Sequence, residues 1–218
     1  MKKFDKRRAG FSILELMVAM TIILIVLGLV MTLFGRALAA RQRESSRTDA
    51  LTAAQAALNV ISREIANAGY GLKIATDGIS DNGLVTADST ADKIHFRANI
   101  TNNNIVLTDD GEDVTYYYEP GTQSILRYDR NGAGPGTPET SIVINRISSL
   151  SFSYFDYSGN NPVPTTGTVP TSRTGRVRVT VTVKLEKIAI GLGQAEPQDV
   201  TLVSDVTLRN AEYMLQQY

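Results

Sequence analysis

The amino-acid sequence predicts an α+β fold in which one long N-terminal helix packs on an antiparallel β-sheet domain. An apolar run covers residues 11–34, with Glu15 as its only charge. Apolar residues then recur at three- and four-residue steps as far as Ile65, and beyond residue 72 the hydrophobic period changes to two. A helical pattern followed by several alternating strands is the element order of an α+β domain.

The first half of the predicted helix has the length and composition of a membrane span. Residues 16–34 alone would extend roughly 28 Å at about 1.5 Å per residue, close to the hydrocarbon thickness of a bilayer. A secretory signal peptide would have a shorter apolar region, and a buried core helix would need a larger protein around it. Residues 11–35 are therefore predicted to cross a membrane.

The second half, residues 36–68, is predicted to be an amphipathic continuation of the same helix. No proline interrupts residues 11–68, and only Gly28 and Gly35 weaken the helix. A polar collar at residues 41–47 precedes one apolar stripe, which is expected to lie on a sheet and consists of Leu51, Ala54, Leu58, Ile61 and Ile65. Gly69 and Gly71 indicate that the helix ends near Ala68.

Residues 69–218 are predicted to form the β-rich globular domain. Alternation predicts strands around Ile94 and Phe96, at 176–187, where five apolar residues face one way, and at 200–208. Residues 114–119 and 124–128 flank a Pro-Gly turn and predict a hairpin. Residues 141–157 predict one long strand or two strands broken near Ser148 and Ser149, and 129–140 and 158–174 are predicted to be surface loops.

Composition excludes several classes of function. The chain has 218 residues, a formal net charge of zero, one histidine and no cysteine. Zero net charge gives no electrostatic argument for nucleic acid, and the lack of cysteine excludes disulfides, zinc-thiolate sites and thiol catalysis. His95 lies in an alternating strand, where a lone histidine is usually satisfied or exposed, so no role is predicted for it.

Glu15 and its flanking residues carry the most specific signal. A carboxylate inside a membrane helix costs on the order of 2.5–3.5 kcal/mol on insertion scales and usually marks a function or a partner. It lies in the sequence GFSILEL at residues 10–16, behind a basic leader that contains Lys2, Lys3, Lys6, Arg7 and Arg8. This segment resembles the class III signal of type IV prepilins, with serine for the usual threonine and one isoleucine for leucine.

The resemblance implies a type IV pilin-like fold and a processing pathway. A prepilin peptidase would remove the leader, residues 1–10, by cutting between Gly10 and Phe11, and would then methylate the new amine of Phe11. Glu15 would meet the N-terminal amine of a neighbouring subunit and set its register in the filament. The subunit would sit in the inner membrane with its N-terminus cytoplasmic and its C-terminal domain periplasmic, and later enter a pilus or pseudopilus.

Further segments resemble PilW-type minor pilins, among them ISREIANAGY at residues 61–70 and TLRN at 207–210. The resemblance implies a role in initiating or capping filament assembly, with major and minor pilins, the inner-membrane assembly platform and membrane lipid as partners. Major pilins typically have a C-terminal disulfide and a helix-kinking proline, and both are missing here. The alternatives are a J-type pseudopilin of type II secretion, an adhesive or DNA-capturing tip subunit, and a membrane anchor unrelated to filaments.

Other candidate sites carry weaker signals. The acidic turns at residues 77–83 and 109–113 lack the spacing of an EF-hand, so no metal site is predicted. Arg173, Arg176, Arg178 and Lys184 could form a basic face, but no aromatic platform accompanies them, and nucleic acid is not a predicted partner. The aromatic residues of 116–118 and 152–157 are assigned to sheet packing. No catalytic constellation or cofactor site is indicated, so the sequence does not predict an enzyme.

Overall fold

The computed structural model describes residues 10–72, 82–101, 107–157, 163–185 and 199–211. The chain divides into two compact units, Met1–Ser46 and Arg47–Tyr218. One α-helix, α1 at Ile13–Ala66, supplies residues to both units and has 54 residues. The prediction of one long N-terminal helix is therefore confirmed, and the observed ends lie two residues inside the predicted ones.

In the first unit, the side chains of α1 are exposed and predominantly apolar. Phe34 is 61% exposed and Leu24 is 65% exposed. The most apolar window of the helix has a mean hydropathy of 2.8, and none of it is buried. Such a surface is unfavourable in water but suits hydrocarbon, and the helix is long and apolar enough to cross a membrane.

In the second unit, α1 buries the predicted apolar stripe. Ala54, Leu58, Ile61 and Ile65 are buried, Leu51 is partly buried, and Ala57 joins the buried set. After Ala66 the chain turns, and Gly69 has a φ of 80°, the left-handed conformation that commonly ends a helix. The sequence therefore identifies both the buried face and the stop.

The strands in the described residues form two antiparallel four-stranded sheets, and a 3₁₀ turn, Thr86–Asp88, precedes the first strand. The first sheet has the order β1-β2-β3-β4, and its strands are Lys93–Arg97, Asp113–Glu119, Ser124–Asp129 and Glu139–Ile144. The second sheet has the order β6-β5-β7-β8, and in chain order its strands are Ile147–Asp156 (β5), Thr165–Gly167 (β6), Thr174–Lys184 (β7) and Asp199–Thr207 (β8).

The structure corrects three details of the predicted β domain. The strands form two sheets where the sequence indicated one. The break in residues 141–157 lies at Asn145 and Arg146, where Arg146 has a φ of 60°, whereas Ser148 and Ser149 lie at an irregularity within β5. The segment 158–174 contains β6 and the first residue of β7. Short polar strands such as β6 have no hydrophobic alternation, which is why composition alone indicated a loop.

One hydrophobic core joins the two sheets to the second part of α1. Phe96 and Tyr116 from the first sheet have ring centroids 6.2 Å apart. From the second sheet, Phe152 and Tyr154 are buried, together with the alternating valines of β7 at 177, 179, 181 and 183. The predicted hairpin of β2 and β3 and the alternation of β7 are thus confirmed.

Candidate functional site

The start of α1 is closed by a capping box formed by Ser12 and Glu15. The Ser12 hydroxyl accepts a hydrogen bond from the Leu14 amide at 3.3 Å, and the Glu15 carboxylate accepts one from the Ser12 amide at 3.1 Å. These contacts satisfy two amide donors that the first turn of a helix leaves without helical partners. The pattern Ser-x-x-Glu before an apolar run is the local sequence signal for this cap.

The predicted cleavage site lies just outside that cap. Gly10 is exposed and Phe11 is 87% exposed, and neither belongs to the helix, which begins at Ile13. Among the described residues, a Cβ atom added at Gly10 would meet no atom within 4 Å. The local packing of the chain therefore does not require glycine at residue 10. The predicted leader residues Lys2, Lys3, Lys6, Arg7 and Arg8 lie outside the described residues.

Glu15 combines two properties at this site. It is the only charged residue between Phe11 and Phe34, and its side chain lies at the helix N-terminus, where the partial positive charge of the backbone favours a carboxylate. Its contact in the isolated chain is with its own helix, through the Ser12 amide. The chain can thus hold this carboxylate at the edge of an apolar surface before any partner arrives.

In the second unit, α1 is bound to the first sheet by a charged contact, the clasp, which consists of Glu64, Tyr116 and Arg127. Glu64 accepts hydrogen bonds from the Tyr116 hydroxyl at 2.9 Å and from Arg127 Nε at 3.1 Å. Arg127 also pairs with the buried Asp129 at 3.0 Å. Burial, together with the charge of Glu64, raises the pKa of Tyr116, so the phenol stays protonated and remains a donor.

The outer face of the first sheet carries a cluster that sequence reasoning did not predict. His95 lies between two carboxylates, with Nδ1 3.0 Å from Asp88 and Nε2 2.5 Å from Asp113. Lys93 pairs with Asp88, and Arg97 Nε lies 3.1 Å from Asp113. Only the register of β1 and β2, which places Arg97 opposite Asp113, brings these residues together. His95 is therefore satisfied, as expected of a lone histidine in a strand.

The neighbouring side chains of this cluster shift the pKa values of its two carboxyl groups. The hydrogen bond from Lys93 holds the pKa of Asp88 below its usual value, against a smaller effect of burial. Burial acts to raise the pKa of Asp113, but the hydrogen bond from His95 and the charge of Arg97 outweigh it and lower the pKa. The cluster borders an open depression of about 530 Å³ that Tyr117 and Tyr128 also line.

Residues of the acidic turns form hydrogen bonds within the β domain. Glu112 is buried and accepts hydrogen bonds from the amides of Thr108 and Asp109, each at 3.0 Å. Residues 77–81 of the other turn lie outside the described residues, and its Asn82 bonds to backbone carbonyls of Thr171 and Thr174. Within the described part of the chain, no group of three or more potential ligands is placed to hold a metal ion.

The predicted basic face is partly neutralised. Arg178 forms a two-pronged ion pair with Asp205, at 2.7 and 2.9 Å, and Arg176 stacks on Phe155 with its guanidinium carbon 4.1 Å from the ring centroid. Arg173 and Lys184 are exposed. The arginines of β7 therefore bind neighbouring side chains in this structure, whereas a phosphate-binding surface needs cations that reach outward.

Comparison with protein families gives one match. Residues 5–31 match the family described as the prokaryotic N-terminal methylation motif. Comparison with curated proteins and with solved structures yields no match to this chain. The matched segment contains the Gly10–Phe11 bond, the Ser12–Glu15 cap and most of the apolar span. Over residues 5–31 the chain is therefore similar to type IV prepilin-like proteins, and this segment precedes an α+β domain.

Proposed function

We propose that the chain is a minor pilin of PilW type that helps to initiate or cap the assembly of a type IV pilus. One observation carries the proposal: an exposed Gly10–Phe11 bond lies directly before a capped helix whose only charge in the apolar span is Glu15. An accessible bond suits proteolytic processing, and a single membrane carboxylate suits pairing with a specific partner.

The proposed mechanism begins with removal of residues 1–10 by a prepilin peptidase and methylation of the Phe11 amine. The new amine carries a positive charge, which is costly in hydrocarbon, as is the carboxylate of Glu15. Two such charges gain most by pairing with each other, so Glu15 of one subunit would pair with the Phe11 amine of its neighbour and fix the axial register. In the free subunit the Ser12 amide occupies the carboxylate, and assembly would replace that contact.

The proposed division of labour follows the chain. Residues 11–35 hold the subunit in the inner membrane and later pack in the filament. Residues 36–68 connect this span to the β domain, residues 69–218, which contacts other pilins outside the membrane. The N-terminus would be cytoplasmic and the β domain periplasmic. The assembly platform and the other major and minor pilins are the proposed partners.

Two features support a minor rather than a major pilin. The sequence has no cysteine for a C-terminal disulfide, and α1 runs from Ile13 to Ala66 without a proline. The J-type pseudopilin of type II secretion remains the second candidate, because the capped helix and the processing site serve that role equally well. The pairing of Arg178 with Asp205 gives less support to a DNA-capturing tip subunit.

A clean deletion of the gene, scored in parallel for surface pili and for secreted exoproteins, tests the proposal. Loss of pili with normal secretion, restored by the intact gene but not by a copy with Gly10→Leu, would support a processed minor pilin. Periplasmic retention of exoproteins with normal pili would replace it with the pseudopilin. Normal pili and normal secretion, with no shortening of the chain at Gly10, would contradict both.

A further inference from the structure

The end of the apolar span carries a concentration of positive charge that the assembly mechanism does not use. Arg36, Arg41 and Arg43 lie on α1 within nine residues of Phe34, and Glu44 is the only carboxylate among residues 35–46. Arg36 and Arg41 are exposed, and Arg43 is partly exposed. Three cations against one anion leave this turn of the helix positive.

Helix geometry places Arg36 at the level of the lipid headgroups, and Arg41 and Arg43 just beyond that level. At about 1.5 Å per residue, Arg36 lies roughly 3 Å and Arg43 roughly 14 Å beyond Phe34 along the axis. The headgroup layer of a bilayer is about 5–7 Å thick on each side. Helical side chains tilt toward the N-terminus, so arginines that follow the span lean back toward the membrane.

The three arginines project from two different faces of the helix. Arg36 and Arg43 are seven residues apart and lie within about 20° of one face, whereas Arg41 lies on another. Leu38, which is 51% exposed, lies between them and keeps apolar surface at this level. Long arginine side chains can cover such surface while the guanidinium reaches a phosphate.

We propose that Arg36, Arg41 and Arg43, the arginine collar, bind the phosphate groups of anionic phospholipids at the end of the membrane span. The collar holds α1 at a fixed depth by pairing guanidinium groups with these phosphates. It rests on the membrane insertion of α1 that the proposed function includes, but not on its orientation or on filament assembly.

The test uses the full chain in vesicles of phosphatidylcholine with phosphatidylglycerol. Because the chain has no cysteine, Ala39→Cys provides a single site for a fluorescent label next to the collar. Quenching is compared between phosphatidylglycerol and phosphatidylcholine that carry the same nitroxide on the acyl chain. We expect phosphatidylglycerol to be favoured about fivefold, the effect of one arginine near an anionic surface, because Glu44 opposes part of the charge.

Three variants and added salt test whether the charge of the collar causes the lipid preference. The triple change Arg36→Gln, Arg41→Gln and Arg43→Gln should equalise the two lipids, and so should about 1 M salt, which screens charge beyond about 3 Å. The corresponding triple lysine variant should keep the preference, and Arg63→Gln, twenty residues further along α1 than Arg43, should not change it. Equal quenching in the unsubstituted collar, or a preference that survives the glutamine changes, would overturn the proposal. The vesicles contain no peptidase, so this result is independent of processing: a lipid preference here, together with a chain that stays uncleaved at Gly10 in cells, would refute the pilin role and leave the collar intact.

Discussion

The carboxylate of Glu64 on α1 accepts a hydrogen bond of 2.9 Å from the hydroxyl of Tyr116 on β2. Arg127 on β3 donates to the same oxygen at 3.1 Å. One helical side chain therefore binds two neighbouring strands of the first sheet. Hydrophobic packing of the apolar stripe has no preferred direction and does not by itself fix the position of α1 along the sheet. We infer that this directional contact fixes the rotation and register of the helix on the sheet.

Removing Glu64 should destabilise the β domain by about 1–3 kcal/mol, because Glu64→Ala leaves two donors in a half-buried site without an acceptor. Glu64→Gln keeps an acceptor and should cost less. Urea unfolding of the full chain in detergent, followed by near-ultraviolet circular dichroism of the tyrosines, measures the effect. Arg63→Gln, on the exposed side of the same turn, should stay within about 0.5 kcal/mol. Equal losses at residues 63 and 64 would contradict the clasp.

The sequence predicts the α1 stripe, the β2–β3 hairpin and the β7 alternation because each of these elements has one buried and one solvated face. The charged contacts were not predictable in the same way. Glu64 is 63 residues from Arg127 in the chain, and His95 is 18 residues from Asp113. Local periodicity does not indicate which strands pair or in what register. The strand pairing and the packing of the helix bring these charged side chains together. The Ser12–Glu15 cap is the exception, since its signal is local.

The two roles of Glu15 can be separated by one substitution. Glutamine at position 15 can still accept the Ser12 amide in the capping box, but it has no charge to pair with an amine. We expect Glu15→Gln and Glu15→Ala to be cleaved at Gly10 and to enter filaments poorly, while only Ala weakens the first turn of α1. Immunoblots of processed chain and of sheared filaments measure both steps. Normal incorporation of the glutamine variant would show that the cap, not the charge, is what assembly needs.

Stability of the β domain should fall in acid through Asp113. Its folded pKa lies below the ordinary value of 3.8, so the stabilisation is present above pH 3.8 and is lost as the pH falls through the lowered folded value. Asp88 shifts in the same direction, whereas a hydrogen bond with Asp129 raises the pKa of Asp110, which acts oppositely. Lys93, Arg97 and Arg130 are the cations that face the two carboxyl groups with lowered pKa, and the His95 ring contacts both.

Asp113→Asn tests this pH dependence directly. At pH 7 the variant should be less stable by about 1–3 kcal/mol, because the buried carboxylate that pairs with His95 and Arg97 is lost. The difference from the unsubstituted chain should shrink as the pH falls below 3.8. Urea titrations between neutral pH and about pH 3 measure it. A difference that stays constant across this range would show that Asp113 acts through shape and not through charge.

Gly83 joins the end of α1 to the first sheet and should not tolerate a side chain. Its φ is 77°, and a Cβ there would lie 2.0 Å from the Gly69 nitrogen and 2.4 Å from the Arg97 carbonyl oxygen, backbone atoms that are themselves hydrogen-bonded at 2.9 Å. Gly136, with a φ of 69° and no described atom within 4 Å of its Cβ position, is the matched control.

Gly136→Ala should therefore cost only the conformational strain of roughly 1–2 kcal/mol. Gly83→Ala should add an overpacking cost of about 1–3 kcal/mol, because backbone atoms cannot move aside as a flexible side chain can. Thermal unfolding of the two variants side by side measures the difference. Equal effects would mean that the contact among Gly69, Gly83 and Arg97 can open at little cost, and that the clasp of Glu64 alone holds this end of α1 on the sheet.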